Sequence, residues 1–121
     1  KVVAIFGDNK ITVPQSKIDK LTDESYIGKD VVMGIRPENI SDADEDIAAN
    51  PEATIDVHVE VTELMGSETY LYFTTSGQEE SINARVEPRT KTRTGDDIKV
   101  VMDTSRLHFF DKDTEETILQ R

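Results

Sequence analysis

Alternating carboxylates are the residues of this chain whose spacing comes nearest to a metal site. The run 42–46 carries Asp at its first, third and fifth positions, as the opening of a calcium-binding EF-hand loop does. The motif then fails, because Ile47 stands where the turn needs Gly and Ala53 stands where a bidentate Glu belongs. The run 111–115 fails for the same reasons. Both segments are predicted to be solvated loops, and no metal site is expected.

Motifs for nucleophilic and nucleotide chemistry are also missing from the sequence. His58 and His108 lie fifty residues apart in a chain without cysteine, and no Gly-x-Ser-x-Gly string accompanies them. The string Gly28-Lys29-Asp30 lacks the upstream Gly and the following hydroxyl with which a P-loop holds phosphates. We therefore predict no catalytic residue and no cofactor within this chain.

A short polar turn is the stronger candidate for a binding role. Gly66, Ser67, Glu68 and Thr69 follow one alternating segment and lead into the next. A tight reversal there is expected to present a carboxylate and two hydroxyls at the surface, where they suit hydrogen bonding to a partner protein or a polar ligand. The alternative is that these residues form only a hairpin turn.

Two further groups of charged residues are candidates for partner contacts. Arg36 and Glu38 flank Pro37 at the end of a predicted strand, where Arg36 is expected either to contact a partner or to brace the strand end against a neighbouring carboxylate. A basic cluster is expected either to meet an acidic surface, on a second copy or another protein, or to be a solvated loop. Its members are Arg85, Arg89, Lys91 and Arg93.

Period-2 alternation predicts the strands that position these groups. The apolar residues from Ile55 to Val61 are expected to face one way and His58 the other, and residues 69–75 repeat the pattern, so the two segments form a hairpin. Only 15–21 is predicted to be helical, and the acidic stretch 41–52 is predicted to be a surface loop. The other predicted strands are 2–6, 10–13, 30–36, 80–86, 97–103, 107–110 and 116–119. Many short strands with regular turns indicate an all-β sandwich or barrel.

Charge and composition restrict the class of partner. The 121 residues include 25 acidic and 14 basic side chains, and the resulting net charge of −11 argues against nucleic acid and anionic membranes as partners. The absence of cysteine excludes disulfides and thiolate metal sites. No apolar run approaches the roughly 20 residues that span a bilayer. The folded part is expected to be cytoplasmic.

Three strings, in their order and spacing, carry a family resemblance. They are Gly34-Ile35-Arg36-Pro37-Glu38, Leu64-Met65-Gly66-Ser67-Glu68-Thr69 and Leu107-His108-Phe109-Phe110-Asp111. Together they resemble the C-terminal domain of the ATP-binding subunits of bacterial sugar-importing ABC transporters, of the maltose and multiple-sugar type. That domain is a transport-associated OB-fold (TOBE) module, and the resemblance extends from about Ile11 to Leu119.

The resemblance implies a fold and a non-catalytic role. The fold is all-β, an OB-type β-barrel with additional strands and one short helix, and residues 1–121 form a single regulatory domain. The ATPase domain and the first strand of this domain are expected to lie outside the chain, so ATP and Mg belong to the parent subunit. The implied partners are a second copy of the subunit, the membrane subunits through the ATPase domain, and a regulatory protein. The implied location is the inner face of the cell membrane.

Two other functions are alternatives to regulation. A small-ligand sensor for a sugar or an oxyanion is one, because related modules of anion importers bind oxyanions. An oxyanion site requires converging amides and cationic side chains, whereas the turn at residues 66–69 carries the carboxylate of Glu68, which argues against such a site. Oligonucleotide binding is the other, and it needs exposed aromatic residues on a basic groove. The chain has only three Tyr and four Phe on an acidic background, so this function is not expected.

Overall fold

Nine short strands account for most of the regular structure. The computed structural model describes residues 2–120, apart from the side chain of Glu79. The strands are β1 (Val3–Phe6), β2 (Asn9–Thr12), β3 (Val31–Gly34), β4 (Ile40–Ser41), β5 (Thr54–Met65), β6 (Glu68–Thr75), β7 (Gln78–Val86), β8 (Asp97–Met102) and β9 (His108–Asp111). Two short helices, α1 (Gln15–Ile18) and α2 (Asp44–Ala49), and four 3-10 turns lie between them.

The central element is a five-stranded antiparallel sheet that curls round on itself. Its strand order is β4-β8-β5-β6-β7, and β7 at one edge lies close to β4 at the other. Two antiparallel ribbons, β1-β2 and β3-β9, stand beside this sheet. The all-β class and barrel-like architecture expected from the sequence are therefore confirmed.

The core lies between the curled sheet and the two ribbons. Residues of both parts are fully buried, including Ile11 from β2, Phe73 from β6 and Leu107 just before β9. The inward residues of the β5–β6 hairpin follow the predicted alternation at its base, where Val59 lies opposite Phe73. Each fully buried side chain of this kind stabilises the fold by about 1.5–3 kcal/mol, and together they hold the ribbons against the sheet.

The alternation in β5 is interrupted by a β-bulge. Val59 pairs with Phe73 but Val61 pairs with Tyr72, so Glu60 is an extra residue without a partner on β6. One extra residue reverses the faces of everything that follows it. Val61 is consequently 47% exposed, and the expectation that it faces the core with the preceding valines is wrong.

A contact between two turns fastens the β1-β2 ribbon to the sheet. Gly7, in the turn after β1, and Gly77, in the turn after β6, both have positive φ angles and touch each other. The amide of Asp8 donates to Ser76 Oγ over 2.9 Å, and Asn9 Nδ2 donates to the Ser76 carbonyl over 3.0 Å. The backbones of two turns that are far apart in sequence are therefore in direct contact at these glycines, and neither glycine leaves room for a side chain.

The helical and C-terminal regions differ in part from expectation. The stretch 41–52, predicted to be a loop, contains α2, whose first turn is entirely acidic and so complements the helix dipole. Ile47 packs half-buried against the core from this helix. Helix α1 ends at Ile18 rather than at residue 21, and the predicted strand 116–119 is reduced to isolated bridges. No helix within residues 2–120 is long and apolar enough to cross a membrane.

Candidate functional site

The β5–β6 turn is the first candidate site, and its backbone is the expected tight reversal. Met65 and Glu68 pair with each other, which leaves Gly66 and Ser67 as a two-residue loop. Gly66 has a φ of +66°, the left-handed conformation that primed hairpin turns require. Nothing lies within 4 Å of the place where a Cβ would stand, so this turn projects into open space.

Glu68 is held by a neighbouring strand. Arg85 Nε on β7 lies 3.0 Å from Glu68 Oε2, and both side chains are partly exposed. An exposed pair of this kind contributes at most about 1 kcal/mol to stability, because water and salt screen it. The carboxylate is therefore oriented on the surface without being removed from it, and one member of the predicted basic cluster is used to hold it.

Thr69 is not a surface residue. It is 5% exposed, and its hydroxyl donates to the Pro88 carbonyl over 3.3 Å. The expectation of two surface hydroxyls at the turn is therefore wrong for Thr69 and fits Ser67 alone, which is exposed. The cause is the period of two along β6, because Thr69 shares the inward face with Leu71 and Phe73. The sequence contained that signal.

Exposed apolar side chains surround this turn. Val61, Leu64 and Met65 are 47%, 67% and 50% exposed, and we call residues 61–69 the hairpin tip. Tyr72, which follows the tip, donates its hydroxyl to Glu63 Oε1 over 3.2 Å; loss of solvation, and then the carboxylate, raises the pKa of Tyr72. The tip thus combines an apolar surface with acidic groups. Sequence reasoning missed this surface because Val61 was assigned to the core.

Arg36 and Glu38 lie on a different element. Pro37 opens a 3-10 turn, Pro37–Asn39, in which the Arg36 carbonyl accepts the Asn39 amide over 3.0 Å. Both charged side chains are exposed. Among the side chains that the structure describes, no ion pair or hydrogen bond involves them or joins them to the hairpin tip. The 3-10 turn lies close to β7, the strand that carries Arg85, but no such bond links it to the tip.

Most of the remaining basic cluster is bound within the chain. Lys91 Nζ lies 2.6 Å from Asp44 at the start of α2, and that hydrogen bond, followed by the charge of Asp44, raises the pKa of Lys91. Asp42 accepts the hydroxyls of Thr90 and Thr92, the second over 2.7 Å from a threonine that is buried. Two carboxylates of the EF-like run thus fasten the segment 90–92 to the start of α2.

The second acidic run and the histidines have structural surroundings. Asp111 accepts the amides of Asp113 and Thr114 and, over 2.7 Å, the hydroxyl of Tyr26. The Thr114 amide is the largest of the contributions that lower the pKa of Asp111 to about 2. His58 Nδ1 lies 2.8 Å from the exposed Asp97, and His108 stacks on Phe110. Within residues 2–120, no group of three or more metal-ligating side chains is assembled.

Comparison with known proteins identifies two family models. The MalK OB fold domain matches residues 1–40, and the TOBE domain matches residues 33–110. A relative from Bacillus subtilis, the oligosaccharides import ATP-binding protein MsmX, is 37% identical over 109 residues, which are 90% of this chain and 29% of the relative.

Two further relatives agree with this match. The multiple sugar-binding transport ATP-binding protein MsmK of Streptococcus mutans is 37% identical over 108 residues, 89% of this chain and 28% of the relative. The sulfoquinovosyl glycerol transport ATP-binding protein SmoE of Agrobacterium fabrum is 28% identical over 113 residues, 93% of this chain and 29% of the relative. The chain thus spans less than a third of the length of the curated relatives it matches.

Proposed function

We propose that this chain, which belongs to the TOBE domain family, is the C-terminal regulatory and dimerisation domain of a carbohydrate importer's ATP-binding subunit. The chain is a domain of such an ATP-binding subunit, as its matches to the TOBE model and to two 37% identical relatives indicate. The names of the relatives describe import of oligosaccharides and transport of multiple sugars and of sulfoquinovosyl glycerol, so a carbohydrate is the proposed cargo. Its proposed location is the cytoplasmic face of the membrane, beside the membrane subunits.

The proposed role requires no chemistry from this domain. Two copies that stay in contact hold their ATPase domains at a high effective concentration for each other, as a tether does. A regulatory protein that binds one arrangement of the pair better than the other shifts the population toward that arrangement. ATP and Mg would then act only in the ATPase domain.

The hairpin tip is the observation that carries the proposal. It places Met65 on a projecting turn directly across from the oriented carboxylate of Glu68, and it exposes Leu64 on the other face of the same hairpin. Apolar side chains exposed to this extent next to polar groups are typical of protein contact surfaces. The tip is therefore proposed to contact a protein partner, and the leading candidate for that partner is a second copy of this chain. Ser67 and Glu68 would supply the polar contacts. Arg36 and Glu38, which are exposed on another element, remain candidates for a separate contact with a regulator.

Self-association of the chain tests this assignment. Leu64 and Met65 are 67% and 50% exposed, so the part of each side chain that a contact would bury contributes about 1 kcal/mol to binding. Replacing both by Ser removes about 2 kcal/mol, which corresponds to roughly a thirtyfold rise in Kd. Sedimentation velocity over a concentration series measures the Kd. Ile5→Ser is the matched control, since Ile5 is 64% exposed on another surface.

Two results would count against the assignment. Equal weakening by the Ser pair and by Ile5→Ser would place the contact elsewhere. Saturable amide shifts at residues 66–69 on titration with maltose-type oligosaccharides or molybdate would support the sensor function instead. The carboxylate of Glu68 at this turn argues against the oxyanion form of that alternative.

A further inference from the structure

Each of the two ribbons has one strand with an unpaired edge. Within the described residues, β1 pairs only with β2, and β3 pairs only with β9. The amide of Val13 donates to the Val2 carbonyl over 2.9 Å, and antiparallel pairing alternates from there. The amide and carbonyl groups of Val3 and Ile5 therefore point away from β2, along the open edge of β1.

The two strands β1 and β3 line the same groove. It has a volume of about 910 Å³, and residues 2–6 of one ribbon and residues 31–35 of the other line it along their length. Its floor includes Phe109 and Ile118, which belong to the buried core. We call this feature the edge groove. It contains no residue of the hairpin tip.

The edge groove is lined mainly by apolar residues, and more of its charged residues are basic than acidic. The large apolar side chains that are exposed among residues 2–120 fall into two groups: three belong to the hairpin tip, and the other four line the edge groove. Those four are Val3, Ile5, Ile27 and Val32. The charged residues that line the groove are Lys17, Lys29, Lys112 and Asp30. Lys112 Nζ lies 3.9 Å from Asp30 Oδ2, so Lys17 and Lys29 are the cations outside that ion pair, in a chain whose net charge is −11.

We propose that the edge groove binds an extended segment of a partner protein by β-strand addition. An inserted strand would pair with β1 on one side and β3 on the other, and would join the two ribbons into one sheet. Five residues line each edge, so a segment of about five residues, roughly 16 Å long, fits the groove. The apolar lining selects β-branched or aliphatic side chains, and the lysines among the lining residues select Glu or Asp at the ends of the segment.

This inference does not depend on the proposed regulatory contact, because the two surfaces share no residue. The segment is distinguished from other ligands by its backbone, which must supply amides and carbonyls to both edges. A rigid apolar molecule would fill the groove without using either edge. Removal of one backbone donor from the peptide therefore separates strand addition from simple apolar binding.

The test uses a synthetic peptide, acetyl-Glu-Val-Thr-Val-Thr-Val-Glu-amide, in an amide NMR titration of the chain. The expected result is saturable shifts confined to residues 2–6 and 28–35. An N-methyl group on a central valine, or Lys in place of both Glu residues, should raise the Kd at least tenfold. In the chain, Lys29→Glu should do the same, while Leu64→Ser at the hairpin tip should change the Kd less than twofold.

Several results would overturn the proposal. Equal binding of the N-methylated peptide would refute strand addition, and absence of saturation at about millimolar peptide would refute the site. Shifts of the same amides on dilution of the chain alone would assign the edge groove to a second copy. Protection of the Val3 and Ile5 amides from hydrogen exchange in a longer form of the protein, without peptide, would assign it to the protein's own chain. Of these results, only assignment of the edge groove to a second copy bears on the thirtyfold test at the hairpin tip, because Ile5, the control position of that test, lines the groove.

Discussion

Replacement of Gly77 by Ala is the sharpest test of how the β1-β2 ribbon is held. Gly77 has a φ of +82°, and an added Cβ would lie 2.6 Å from the Phe6 carbonyl carbon and 2.8 Å from Gly7 Cα. Those atoms belong to the backbone and cannot rotate away. The substitution must therefore separate the two turns, which costs more than the conformational strain of the residue itself.

The magnitude follows from two contributions. An L-residue in the left-handed conformation costs about 1 kcal/mol. Separation of the turns breaks the hydrogen bonds from Asp8 and Asn9 to Ser76, at about 1 kcal/mol each. Gly77→Ala should therefore lower the free energy of unfolding by about 3 kcal/mol. Gly66→Ala is the matched control, since its φ is +66° but nothing lies within 4 Å, and it should cost only about 1 kcal/mol.

Urea denaturation, followed by far-UV circular dichroism, measures both variants. The expected result is a difference of about 2 kcal/mol between them at an unchanged m-value, because the same surface is exposed on unfolding. A difference smaller than about 0.5 kcal/mol would refute the reasoning, since the contact between the turns would then contribute nothing. A lowered m-value for Gly77→Ala alone would instead indicate that the ribbon detaches before the sheet unfolds.

Two further predictions concern carboxylates. Asp42→Ala should destabilise the chain by about 2 kcal/mol, because it leaves a buried threonine hydroxyl without its acceptor. Asp44→Ala breaks only an exposed ion pair and should cost less than about 1 kcal/mol. Urea denaturation measures both costs. Equal costs would contradict this. The pKa of Asp111 is lowered from 3.8 to about 2, so the stability that its carboxylate contributes to the fold is complete above pH 4 and lost as the pH falls to 2. Asp111→Asn should therefore flatten the acid side of a stability–pH curve. An unchanged curve would refute the assignment.

Local patterns predicted the base of the hairpin and its reversal. Alternation placed Val57 and Val59 in the core, and Gly66 marked the turn, because both depend only on neighbouring residues. The bulge at Glu60 depends on a distant segment. There Val59 donates its amide to Asp96 and accepts from Gly95, so the loop before β8 determines where the register of β5 shifts.

The site could be predicted only in part, for the same reason. Glu68 was correctly placed on the surface, but its pairing with Arg85 depends on the register between β6 and β7. Helix α2 was missed because a short acidic segment with only Ile47 turned inward has no apolar period to detect. The edge groove lies between the β1-β2 ribbon and a ribbon that joins residues 31–34 to residues 108–111, and no local pattern records such a neighbourhood.

The bulge at Glu60 divides one strand into two parts that are free to change separately. Below it, alternate residues of β5 are held by close packing, and a change of volume there is felt throughout the interior. Beyond it, Val61, Leu64 and Met65 touch no closed interior and tolerate replacement at little cost to folding. The exposed side chains of the tip can therefore be exchanged while the barrel stays the same. The one extra residue at Glu60 thus makes the end of the hairpin a position where a different sequence can be introduced without repacking the core.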